Sequence, residues 1–191
     1  MKIKWSDIRT KSNMLSTFRV FLVIPIIFLI LNFNEAYSYR VYAVLLMVLG
    51  VITDLLDGYL ARKYNEITEF GKIIDPFADK VNIVAIIILL YYMDELPAYY
   101  FWVIILRDVI IFTGGIIVSN IVGKVLPSNL LGKITVLSIG FFIIATVLDL
   151  RSITWLYESL KYLSLVLSVG SVIGYAIRGV ELVKWKKNET V

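Results

Sequence analysis

The chain has 191 residues, 59% of them hydrophobic, and a mean hydropathy of +0.83, which suits one domain but is too apolar for an ordinary soluble one. Cys and His are both absent, which excludes disulfides, thiolate nucleophiles and soft metal sites: a general base must be Asp, Glu, Lys or Tyr, and a bound metal must be a hard cation held by oxygen. The net charge of +4 is modest and, in so apolar a chain, points to Lys and Arg gathered on one side of a membrane rather than to nucleic acid.

Residues 1–12 carry Lys2, Lys4, Arg9 and Lys11 among Ile3, Trp5 and Ile8. They read as a short amphipathic helix lying on an anionic leaflet, with a basic disordered tail as the other reading. Six apolar stretches follow within residues 13–187, each near the ~20 residues of a spanning helix: Leu15–Leu31, Val41–Leu60, Ile73–Tyr92, Ala98–Val118, Ile134–Leu150 and Leu160–Val183. Pro97 suits a helix start. Gly123 to Gly132, with Pro127, Ser128 and Asn129, reads as a loop. The expected fold is therefore an all-α integral membrane protein, a single domain over 1–191 with six transmembrane helices behind an interfacial segment.

Basic residues assign the sides. Arg62, Lys63 and Lys72 lie between the second and third stretches, Lys124 and Lys133 between the fourth and fifth, and Arg178, Lys184, Lys186 and Lys187 at the end of the sixth. The alternate connections are poorer in bases. Both termini and the connection after the second stretch are expected on the cytoplasmic face of the cell membrane.

That connection joins the most informative residues. Asp54 and Asp57, three apart, share one helix face; Asp75 and Asp79, four apart, share another. A short connection favours antiparallel neighbours, so both pairs are expected near one end of a hairpin. Four carboxylates at the edge of an apolar slab repel one another and lose hydration, so a positive charge must sit between them. Two divalent ions ~4 Å apart, bridged by carboxylates, meet that need and commonly act on phosphoryl groups; with oxygen ligands alone Mg²⁺ is expected, with Mn²⁺ or Ca²⁺ able to substitute. Gly58 leaves room for a phosphate to approach the backbone, and Arg62 offers it a bidentate fork.

Asp54-x2-Asp57-Gly58-x2-Ala61-Arg62-x8-Gly71-x3-Asp75-x3-Asp79 resembles, without a gap, the signature of the CDP-alcohol phosphotransferase family. The resemblance implies six transmembrane helices, a homodimer, a binuclear metal site, and displacement of CMP from a CDP-linked donor, usually CDP-diacylglycerol, by an alcohol. It implies Asp54, Asp57, Asp75 and Asp79 as metal ligands and Asp79 as the base that takes the acceptor's proton. It also implies Gly58 and Arg62, with Thr68, as contacts of the donor nucleotide.

Two further segments resemble phosphatidylglycerophosphate synthases. Asn13-Met14-Leu15-Ser16-Thr17-Phe18-Arg19 is similar to their opening P-N-x-x-T-x-x-R, with Ser12 for the proline and Ser16 for the threonine. Asn13 and Ser16 are read either as donor contacts or as N-caps of the first helix. Leu131-Gly132-Lys133-Ile134 is similar to L-G-K-x-K-T, with Thr135 for the second lysine. Leu106-Arg107-Asp108 departs from the R-E-F of those synthases and resembles the CDP-alcohol type of cardiolipin synthase instead. Neighbours in a helix point apart, so Asp108 is a poor partner for Arg107. Arg107 is read as a clamp for the acceptor's phosphate, with Lys133, against a structural ion pair as the alternative.

The resemblance implies glycerol 3-phosphate or phosphatidylglycerol as acceptor, with glycerol 3-phosphate as the leading reading. An inositol phosphate and serine are the other acceptors considered. A cation transporter whose aspartates line an ion path is the reading from a different class, and it leaves the spacing of Gly58, Arg62 and Gly71 unexplained.

Overall fold

The computed structural model describes residues 10–63, 71–123 and 130–189, with the side chains of 11–12, 61–62, 71–79 and 188–189 left aside. Among the described residues there are six α-helices: α1 (Lys11–Leu31), α2 (Tyr37–Lys63), α3 (Gly71–Tyr92), α4 (Ala98–Val122), α5 (Leu130–Val147) and α6 (Thr154–Glu189), with a 3-10 turn at Leu150–Ser152 before α6. Stretches long and apolar enough to cross a membrane lie in five of them, at Asn13–Leu31, Tyr37–Leu60, Ala98–Val122, Leu130–Val147 and Thr154–Lys187. In α3 the described apolar stretch, Lys80–Tyr92, is shorter and follows turns that carry Lys72, Asp75 and Asp79. The protein is an all-α membrane protein, as expected.

The expected interfacial segment falls mostly outside the described residues; Lys11 already belongs to α1. The loop expected through Gly132 ends sooner, because α5 starts at Leu130, and α6 starts at Thr154 rather than Leu160. Gly123 ends α4 in the left-handed conformation, φ 75°, with its N–H on the carbonyl of Ser119; a residue with Cβ is strained there.

Contacts divide the chain into two compact units, Met1–Glu95 and Leu96–Val191. In the first, α1 packs against both α2 and α3. The expected hairpin of α2 and α3 is thus held mainly through α1 among the described residues. One face of α1 explains this. It carries Leu22, Ile26 and Ile30, all buried, and continues toward the N-terminus as Asn13, Ser16 and Arg19, also buried. The apolar part packs by shape, since lipid gives helices no hydrophobic reason to associate. The polar part demands partners. At the other end of the unit, Arg40 stacks 3.9 Å above the Phe33 ring, donates to Asn34 Oδ1 at 3.0 Å and lies 3.6 Å from Glu95.

In the second unit, α6 packs against α4 and α5. Its inner face is a ladder of buried serines, Ser164, Ser168 and Ser171. Each donates its hydroxyl back to a carbonyl of the preceding turn, on Lys161, Ser164 and Ser168, so none of these three hydroxyls is stranded in an apolar interior. Small side chains here let neighbours approach closely. Tyr100 of α4 reaches Ser164 at 2.9 Å, and Thr135 of α5 donates to the carbonyl of Leu167 at 3.1 Å. The rings of Tyr100, Phe142 and Tyr157 pack in sequence at tilted angles, with centroids 4.5 and 5.1 Å apart.

Candidate active site

The polar face of α1 meets the C-terminal end of α2, where Asp54 and Asp57 project from one side. The guanidinium of Arg19 bridges the two carboxylates, Nη1 to Asp54 Oδ1 and Nη2 to Asp57 Oδ2. Ser16, one turn earlier on α1, donates its hydroxyl to Asp57 Oδ2 at 2.9 Å. Asn82 of α3 donates to the Arg19 backbone carbonyl at 2.8 Å, tying all three helices to one spot. The two carboxylates differ in setting: the Asp57 side chain is 4% exposed and that of Asp54 44%. Asp57 is therefore held almost dry and depends on its partners, while Asp54 faces outward.

Between Asp54 and Asp57 the structure places the guanidinium of Arg19. Sequence reading missed it as a site residue, although the signal was available: it is a charge inside an apolar run, on the face of Asn13 and Ser16, within the segment that resembles a synthase opening. Asn13 is buried and its N–H is capped by the Thr10 hydroxyl at 3.3 Å. Thr10, not Asn13 or Ser16, is the N-cap of α1; Ser16 instead supports Asp57.

Gly58 lies half-buried on α2, next to Asp57. Arg62 belongs to the last turn of α2 and Asp75 and Asp79 to the first turns of α3, which preserves their shared helix face; their side chains lie outside the described residues, as does Thr68 entirely. Among the described residues no group of three carboxylates converges as a metal site. The donor set nonetheless fits a hard divalent cation. Asp54 and Asp57 already converge on a single cationic group, and the unit supplies oxygen ligands without any thiol or imidazole.

In the second unit Arg107 is 8% exposed. Its Nε donates to Ser171 Oγ at 3.1 Å and its Nη1 pairs with Asp108 at 2.6 Å. The expectation that Asp108 is a poor partner does not hold. Backbone directions diverge between neighbours, but the long arginine stem turns back to the adjacent carboxylate while its Nε stays on α6. Lys133 is exposed on the first turn of α5.

A helical membrane chain with paired aspartates at the end of one span, at family spacing, defines a class. Residues 9–173 match the family described as CDP-alcohol phosphatidyltransferase, and the chain belongs to that family, which is generally divalent-cation dependent. The chain is similar to the CDP-diacylglycerol–glycerol-3-phosphate 3-phosphatidyltransferases of three bacteria. The identity to that of Rickettsia felis is 47% over 88 residues, 44% of this chain and 48% of the relative. To that of Bacillus subtilis it is 43% over 90 residues, 47% and 46%. The chain thus spans about half the length of these two relatives. To that of Aquifex aeolicus the identity is 31% over 178 residues, 90% and 96%.

Proposed function

We propose that the chain transfers a phosphatidyl group from CDP-diacylglycerol to glycerol 3-phosphate, giving phosphatidylglycerophosphate and CMP. The observation that carries this reading is the convergence of Ser16 and Arg19 on the Asp54–Asp57 pair, inside a signature shared with the family; the names of the relatives support the donor and acceptor. Asp54, Asp57, Asp75 and Asp79 would hold two divalent cations, Mg²⁺ first, which neutralise the pyrophosphate and the departing CMP when bound. The acceptor's hydroxyl oxygen forms a bond to the phosphatidyl phosphorus as the bond from that phosphorus to the CMP oxygen breaks. Asp79 takes the hydroxyl proton, and CMP leaves with the electron pair. Asn13, Ser16, Gly58, Arg62 and Thr68 hold the donor; Arg107 and Lys133 hold the acceptor's phosphate. The working form is a homodimer.

The deciding experiment is CMP release by the purified chain with CDP-diacylglycerol, Mg²⁺ and a panel of acceptors. CMP is expected with glycerol 3-phosphate and none in excess chelator. Release only with phosphatidylglycerol would move the assignment to a cardiolipin-forming enzyme. Cation flux without CMP release would replace it with the transporter.

The same reading places the site and both termini on the cytoplasmic side of the cell membrane. A cysteine introduced at exposed Lys63 is expected to react only from that side, and one at exposed Asp94 only from the other; the native chain has no cysteine to confuse the result. Reversed labelling rejects the orientation.

Arg107→Ala should raise the KM for glycerol 3-phosphate and leave that for the donor nearly unchanged, with ~1.5–3 kcal/mol lost for a charged hydrogen bond. Asp108→Asn is the control: it removes the ion pair but not the guanidinium. If Arg107→Ala is folded and its acceptor KM is normal, Arg107 is structural only.

A further inference from the structure

The second unit contains a feature that the transferase reading leaves unused. Between α4 and α6 runs a groove of about 370 Å³, whose walls include Gly114, Gly115 and Val118 on one side and Ala176 and Val180 on the other, with Lys184 at its end. That volume falls within the ~300–1,000 Å³ of ligand sites. Along α6 the lining runs from Val172 to Lys184, about 18 Å at the helical rise, so the groove is long rather than compact. Within the groove the walls come closest at Gly179, where a Cβ would lie 3.1 Å from Val118 Cγ2. Beside that contact they part, and a Cβ on Gly114 or Gly115 would meet nothing within 4 Å. The depression is therefore deeper than a methyl group.

The charge at its end selects the occupant. Lys184 is exposed, and Trp185 beside it is 50% exposed. An indole at this position marks the depth where a helix leaves the hydrocarbon for the headgroups. Lys186 donates its ammonium to the carbonyl of Ile121, at the end of α4. Lys184 thus presents a positive charge at headgroup depth, at the mouth of an apolar channel of acyl-chain shape. A second copy suits the groove less well. Two copies inserted in the same direction and related by a two-fold axis bring residues of equal depth together, which would set Lys184 near its own counterpart.

We propose that the α4–α6 groove binds one acyl chain of an anionic glycerophospholipid of the bilayer, whose headgroup phosphate pairs with Lys184. This stands apart from the transferase reading, since no motif residue lines the groove.

The test uses the full chain in nanodiscs holding either phosphatidylglycerol or phosphatidylcholine with a photoactivatable group on one acyl chain, and maps the adducts by peptide mass spectrometry. Adducts are expected on the α4 and α6 segments around Val118 and Ala176, above the level at lipid-exposed Phe112. Gly115→Leu places its side chain where an added Cβ meets nothing within 4 Å, filling the depression, and its adducts should fall to the Phe112 level. Lys184→Gln should reduce the preference for phosphatidylglycerol over phosphatidylcholine about fivefold, as befits one lysine near an anionic surface. Because Lys184 is exposed, this variant decides the matter if Gly115→Leu does not fold. Adducts no higher than at Phe112 in the parent, or unchanged lipid preference in Lys184→Gln, overturn the proposal. So does a Gly115→Leu chain that loses a dimer while the parent groove takes no lipid, an outcome that assigns the groove to a second copy.

Discussion

Asp79→Asn is expected to lower kcat by about 10²–10⁴, the loss typical when a general base is removed, at saturating donor, acceptor and Mg²⁺. With neither His nor Cys in the chain, proton abstraction falls to a carboxylate, Lys or Tyr. Asp79 shares a helix face with Asp75 on α3, at the place where the family signature ends. A carboxylate that only binds metal and one that also takes the proton respond differently to added cation. If Asp79 is a ligand alone, raising Mg²⁺ should restore the rate of the Asn variant, because weakened binding is overcome by mass action. If it is the base, the deficit persists at every Mg²⁺ concentration. Near-normal turnover of a folded Asp79→Asn protein would remove Asp79 from the mechanism.

What could be read from the sequence, and what could not, divides along physical lines. The number and rough position of the helices follow from apolar length alone, because a bilayer demands it. Helix ends do not follow so well. Thr154 to Glu158 is polar and aromatic, so hydropathy starts the last helix at Leu160, while the backbone continues α6 back to Thr154. The packing partners were also hidden. Membrane helices are apolar on most faces, so the periodicity that reveals an inner face in a soluble helix is weak, and nothing local indicated that α1 mediates between α2 and α3. The aspartates were legible because their spacing is local. The pairing of Arg19 with them was not, because these partners lie 35 and 38 residues away. The Arg107–Asp108 pair shows the converse: neighbouring helix positions point apart, but the arginine stem is long enough to turn back to the adjacent carboxylate.

The strongest structural effect is expected at Arg19. Its guanidinium serves Asp54 and Asp57 together, and the Asp57 side chain is 4% exposed. Removing one partner of a buried ion pair leaves the other charge uncompensated, at a cost of about 3–5 kcal/mol; the Asp54 arm adds little, since that carboxylate is largely solvated. Arg19→Ala should therefore unfold at a markedly lower temperature than the parent when chelator is present. If the same carboxylates bind a divalent cation, as proposed, it would supply the missing charge, and Mg²⁺ should raise the midpoint of Arg19→Ala more than that of the parent. Arg19→Lys should recover part of the loss in chelator, because an ammonium cannot bridge both carboxylates with the planar fork of an arginine. Asp57→Asn provides the check from the other side: with the buried charge itself gone, adding Arg19→Ala should cost less than it does alone, which a double-mutant cycle on thermal midpoints measures. Equal stability of Arg19→Ala and the parent in chelator would show that the guanidinium does not hold the pair. A chelator-sensitive loss that Mg²⁺ does not reverse would instead separate the Asp54–Asp57 pair from the metal ligands.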